Sequence, residues 1–196
     1  MTPRDGTALS PLGTNVAAPL DLLELSRLLR STPIALQELL SAVPFAATVW
    51  HPRPGRWCVK EIVGHLIEED KVDFVDRIRV MLDREEPVLT VTDQDEAVRI
   101  RQDCSKRLIG LLEEFRAVRA TSADFISQLT PEDLNRRGRH PHIGDVCVAN
   151  LLYEWVYHDL NHLKQIATNV QSLLWAQLGN MQQFYQHQKP TSPGSV

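Results

Sequence analysis

The chain of 196 residues has three cysteines, few aromatic residues, no excess of basic charge and no long uncharged apolar run. Each shortage removes a class of protein. Cys58, Cys104 and Cys147 are odd in number and widely spaced, which fits neither a disulfide framework nor a paired-cysteine zinc ribbon. A reducing cytoplasm is the expected setting, with Cys104 and Cys147 read as small core residues. No stretch approaches the roughly 20 apolar residues of a membrane span, because charges interrupt every candidate helix. Residues 1–19 lack the apolar region of a secretory leader and read as a flexible arm rich in Thr, Pro, Gly and Ala. The formal net charge is -4. With its bases dispersed among acids, the chain has no electrostatic footprint for nucleic acid. Sustained alternation of apolar and polar residues is also missing, as is any long internal repeat, which disfavours a sheet and a solenoid.

What is present is helical. Hydrophobic residues make up 43% of the chain, enough for one compact core. The domain is assigned to 20–188, with 189–196 as a tail. Leu20, Leu23, Leu25, Leu28 and Leu29 begin a first helix, and Ser31-Thr32-Pro33 predicts a break or restart within it. The segment His51-Pro-Arg-Pro-Gly-Arg56 is a loop. From Cys58 to about Asp83 the apolar spacing is near 3.6, giving a second helix. Asp93, with Glu96 three residues on, caps a third that runs to about Gln128. Asn135 to Gly144, basic and carrying His140 and His142, predicts an ordered loop. Asp145 is placed to cap a fourth helix ending near Asn169, and Leu174, Leu178, Met181 and Tyr185 mark an additional C-terminal one.

Chemistry concentrates on histidine. His158 and His162 are four apart, which on a helix puts both imidazoles on one face about 5–6 Å apart at Cβ. Leu151, Trp155, His158, His162 and Ile166 step by four, three, four and four, so the pair continues the buried stripe. Two readings stand side by side: buried neutral histidines satisfied by hydrogen bonds, or ligands of a metal ion. A catalytic zinc site ordinarily has three protein ligands, and His65, between Ile62 and Leu66 on the second helix, is the best available third. Glu69, one turn on, is placed to orient an imidazole, to ligate or to accept protons. His51 and His187 read as solvated. His140 and His142 read as pocket or surface residues, and Arg136, Arg137 and Arg139 as candidates for an acidic substrate group. The run Glu68-Glu69-Asp70 reads as partly solvated.

These residues also carry a family resemblance. Trp57-Cys-Val-Lys-Glu-Ile-Val-Gly-His65-Leu, His158-x-x-x-His162-Leu-x-Gln165, Arg77 and Gly144, in that order and spacing from about Thr32 to Ile166, resemble the DinB/YfiT-like superfamily. The resemblance implies an all-α four-helix bundle in up-down-down-up order, here with an extra C-terminal helix, often a homodimer. It implies a divalent metal, zinc or nickel foremost, on His65, His158 and His162. It further implies a small-molecule substrate acted on by a metal-dependent hydrolase or by a transferase or isomerase that uses a low-molecular-weight thiol. A non-catalytic metal-stabilised or partner-binding module is the alternative. One departure stands out: the family commonly has Ser or Thr where this chain has Cys58, and a thiol is a poor helix cap.

Overall fold

The computed structural model describes residues 19–188, with side chains up to Tyr185. Nearly all of the expected arm, the tail and the His187 side chain lie outside the described residues. Four long helical stretches form the bundle: α1 (Leu22–Ser41), α3 (Val59–Glu68) continuing through a π-helical segment (Glu69–Phe74) into α4 (Val75–Asp83), α6 (Leu108–Ile126) and α7 (Val148–Trp175). A short α2 (Phe45–Thr48) precedes α3, and α5 (Gln94–Arg101) lies in the crossover to α6.

The direction of each helix follows from its core residues. At one end Leu25, Phe74, Ile78, Ile126, Leu151 and Trp155 pack together. At the other, Leu36, Leu40, Val59, Ile62, Leu111, Phe115 and Ile166 form a second apolar cluster. The chain therefore runs toward the second cluster along α1, back along both α3–α4 and α6, and toward it again along α7. This is the up-down-down-up order. Helix α1 packs on α6 and α7, and α3 packs on the same two.

Several local expectations are corrected by tertiary contacts. Helix α1 runs unbroken through Pro33. Proline there removes the donor that would bond the Leu29 carbonyl, and Arg119 Nη1 supplies it instead at 2.8 Å. The third predicted helix is two: Gln102 takes a left-handed φ of 52°, and the chain leaves α5 before restarting at Leu108. The basic loop is largely a β-hairpin, β1 (Arg137–His140) paired antiparallel with β2 (Gly144–Cys147). Leu89 N donates to Arg139 O at 2.9 Å, so the crossover chain extends the hairpin by one bridge. Cys147, not Asp145, precedes α7, and its half-exposed thiol bonds Asn150 Oδ1 rather than packing in the core. Helix α7 continues past Asn169 to Trp175. After it come 3-10 turns (Ala176–Gln188) interrupted at Gly179, in place of an extra α-helix. No described helix is long and apolar enough to cross a membrane.

Candidate metal centre

The π-helical segment sets the site. Its wider turn keeps Glu69, Asp70, Asp73 and Phe74 all buried on the side facing α6 and α7. Of the acidic run only Glu68 reaches outward, to Arg101 at 3.2 Å. Just before the segment His65 is 2% exposed and points at α7.

His65 Nε2 lies 3.1 Å from His158 Nε2, and His158 Nε2 lies 3.1 Å from His162 Nε2. One donor atom from each ring falls within 4.8 Å of the other two. Trp57 lies 4.8 Å from the His65 ring and stacks at 6.3 Å on His162. Phe74, itself stacked on Trp155, meets His158 edge-on. These walls keep the imidazoles neutral. Burial first, then mutual repulsion, holds His65 well below the usual histidine range. Burial, with His162 and Arg119 adding to it, lowers His158 to about 3. Burial also lowers His162, against the pull of Gln165 and Asp159.

The donor set fits a cation. Gln165 Oε1 is 2.8 Å from His162 Nδ1, so that nitrogen donates and Nε2 keeps its lone pair. Glu69 Oε1 is 3.8 Å from His65 Nδ1, close to that nitrogen but beyond a direct hydrogen bond. His158 Nδ1 is buried with no hydrogen-bond partner among the described residues. A single proton on His158 Nε2 could satisfy only one of its two neighbours, leaving lone pairs facing each other. A divalent ion bound by the three Nε2 atoms removes that conflict. Among the described residues, no fourth His, Cys, Asp or Glu donor joins this group.

Glu69 is 5% exposed. Burial, then Asp73, pushes its carboxyl up to about 9, although Arg77 opposes the shift. Asp73 is held by Arg77 at 2.8 Å and Thr92 at 3.2 Å, and Gln94 reaches Glu69 at 3.4 Å. The loop arginines divide. Arg136 is committed to structure, donating to the Met81, Leu82 and Arg84 carbonyls at the end of α4. Arg137 and Arg139 remain exposed on β1. His140 and His142 meet edge to face outside the three-histidine group.

Two groups of residues were not assembled by sequence reasoning, although Cys58 itself stood out as a thiol at a helix start. Beneath the histidines Arg119, 1% exposed, donates to Asp70 at 2.7 Å through both Nε and Nη2, and to Asp159. Thr32 and the Trp155 indole complete the network at 2.6 and 3.0 Å. Burial works against the Arg119 charge, but Asp159 and Asp70 hold it above its ordinary pKa. Its signal in sequence was a charged residue on the apolar stripe between Phe115 and Ser122. The second group is Cys58 and Cys104, whose sulfurs lie within disulfide-bonding reach, with His51 and Glu61 beside them. His51 is therefore partnered, 2.9 Å from Glu61 Oε2, rather than merely solvated.

Comparison with known proteins points the same way. A protein of Oceanobacillus iheyensis described as a "putative metal-dependent hydrolase" is 23% identical over 145 residues, 74% of this chain and 79% of its own. YfiT of Bacillus subtilis, described as a probable metal-dependent hydrolase with an unusual four-helix bundle topology, superposes with a TM-score of 0.69 at 18% identity. That match covers 86% of this chain and 93% of YfiT. A mutant form of a mycothiol-dependent maleylpyruvate isomerase gives 0.58 at 14% identity, covering 73% of this chain and 59% of the isomerase. These two likenesses show a shared bundle. The model of the DinB superfamily matches residues 28–166, a span that holds all three histidines and all four bundle stretches except the ends of α1 and α7. The chain belongs to the DinB superfamily.

Proposed function

We propose that the chain is a metal-dependent enzyme acting on a small molecule, with a divalent ion on His65, His158 and His162. The observation that carries this reading is the three-donor set itself: three converging Nε2 atoms without a fourth described protein donor are the arrangement of an open site, whereas structural zinc sites are closed by four. An ion held there supplies Lewis-acid chemistry, polarising a substrate and easing deprotonation of water or of a thiol. Three imidazoles suit several metals, zinc and nickel among them.

The chain's own residues have distinct tasks in this reading. Gln165 fixes the tautomer of His162, and Glu69 lies beside His65 Nδ1. Trp57 and Phe74 pack against the rings, and Trp155 backs Phe74. Glu69 Oε1, near the cluster and buried, is the group placed to hold or receive a proton during turnover. Hydrolysis is the leading reaction, supported by the names of two relatives; thiol-dependent transfer or isomerisation is supported by the third. A homodimer belongs to the same reading and is supported by the exposed row Tyr153, Tyr157 and Leu160 along α7. Light scattering should give twice the mass of one chain.

The test combines metal content with turnover. Untagged protein should hold an ion that is lost in His162→Ala, and reconstituted protein should be screened for ester and amide hydrolysis and for thiol-dependent transfer. Glu69→Gln should keep the ion and lower kcat by about 10²–10⁴-fold, the usual contribution of a positioned acid or base. An ion that exchanges no ligand with solvent, or turnover unaffected by its removal, would sink the enzyme reading.

A further inference from the structure

The second group of donors lies outside the three-histidine centre. Cys58 ends the loop before α3, Glu61 is in the first turn of α3, His51 is in the preceding loop and Cys104 is in the 3-10 turn after α5 (Asp103–Ser105). One donor atom of each lies within 4.8 Å of the other three. His51 Nε2 is 2.9 Å from Glu61 Oε2 and 3.8 Å from Cys104 Sγ. The two sulfurs lie within bonding reach, as in a disulfide, yet the Cα atoms of Cys58 and Cys104 are 7.1 Å apart. That exceeds the roughly 4.4–6.8 Å usual for a disulfide. Two thiolates sharing an ion have no such restriction.

A second observation concerns charge. Lys60, one helical position from Glu61, is 2% exposed. Among the described residues its ammonium donates to the carbonyl oxygens of Cys104, at 3.2 Å, and Lys106, at 2.7 Å, and to no carboxylate. A buried cation needs a nearby negative charge. The Phe45 ring, 4.8 Å from the ammonium, gives a weaker compensation, and a disulfide, being neutral, adds none. Two thiolates and a glutamate around a dication carry a net charge of -1, next to the residue whose backbone Lys60 already holds. The N-terminal end of α3 favours the same negative charge.

The structure assigns His51, Cys58, Glu61 and Cys104 to a second, zinc-type metal site. Its set of two thiolates, one imidazole and one carboxylate suits a tetrahedral ion, and four protein donors close it to substrate. Binding releases both thiol protons to solvent and changes no oxidation state. The ion ties the His51–Arg56 loop and the turn after α5 to the start of α3. It thereby fixes Trp57, the neighbour of Cys58, against His65 and His162.

The whole chain, reduced with a phosphine and kept free of oxygen, is titrated with cobalt(II) and separately with zinc. Two ions per chain are expected, with a thiolate-to-cobalt charge-transfer band and intense tetrahedral ligand-field bands. His162→Ala should lose one ion and keep those bands; Cys104→Ser should lose the bands and keep the other ion. His51→Ala, a change at a half-exposed side chain, should weaken the thiolate-linked ion by more than the roughly 10- to 100-fold that loss of a supporting residue costs. Circular dichroism confirms that each variant is folded. The wild-type spectrum needs no variant, so a misfolded Cys104→Ser leaves the test intact. A reduced wild-type chain that takes up no thiolate-bound cobalt overturns the assignment, including the case in which Cys58 and Cys104 are isolated as a disulfide. Loss of the histidine ion alone would defeat the proposed function and leave this site standing.

Discussion

Gly64 sits where the turn after α5 approaches α3 most closely. A Cβ built there would lie 1.7 Å from Asp103 Oδ2 and 2.4 Å from Asp103 Cγ. Asp103 cannot simply swing away, because it is fully buried and holds Arg101 at 2.8 Å and Lys106 at 2.7 Å. Gly64→Ala should therefore destabilise the fold by about 1–3 kcal/mol, as overpacking does, measurable by urea denaturation. Arg119→Met is a different case. It leaves Asp70 and Asp159 buried without a counterion, and should cost about 3–5 kcal/mol by the same assay. The histidines were legible because their signal is local: His158 and His162 share one helical stripe, and His65 interrupts the apolar face of another. Arg119 was less so, since nothing near it in sequence shows the carboxylates 49 and 40 residues away that neutralise it. Cys104 was hidden for a related reason. It lies 46 residues from Cys58, inside a stretch whose spacing mimics one continuous helix.

The elements show where local rules yield to contacts. Proline within a helix ordinarily removes a hydrogen bond and breaks it. Here the orphaned Leu29 carbonyl faces the Arg119 guanidinium, so α1 continues. Gln102, with no glycine to mark it, turns left-handed where Asp103 packs closely on Gly64 and is held by Arg101 and Lys106. The hairpin escaped detection because its strands have four residues each, too short for an alternating pattern to show. Its role is readable from Arg136, which satisfies three carbonyls at the end of α4. Arg136→Ala should cost about 1.5–3 kcal/mol, the range for hydrogen bonds to a charged group, and should raise hydrogen exchange first at the end of α4. If exchange there is unchanged, the arginine is not the cap.

For the molecule as a whole, a helical bundle was legible because apolar stripes at helical spacing must meet in one core, whereas the up-down-down-up order was implied only by the family resemblance. The long crossover and hairpin were not legible, because they are placed by contacts that no periodicity records. Metal removal is the measurement at this scale. An ion that binds only the folded state at 100 times its dissociation constant adds about 2.7 kcal/mol, so stripping the histidine centre with a chelator should lower Tm, and restoring zinc or nickel should raise it. An unchanged Tm at saturating metal would mean that the three histidines bind no ion.

The up-down-down-up order also has a consequence for synthesis. His65 and His158 meet across 93 residues of sequence, and the helix that carries two of the three ligands is the last of the four to leave the ribosome. A nascent chain that has made only α1 to α6 offers His65 alone of the three imidazoles and leaves that centre unformed. On the proposed function, metal loading at the histidines would wait until α7 is made and docked, so that a bound ion would mark molecules whose last bundle helix is in place.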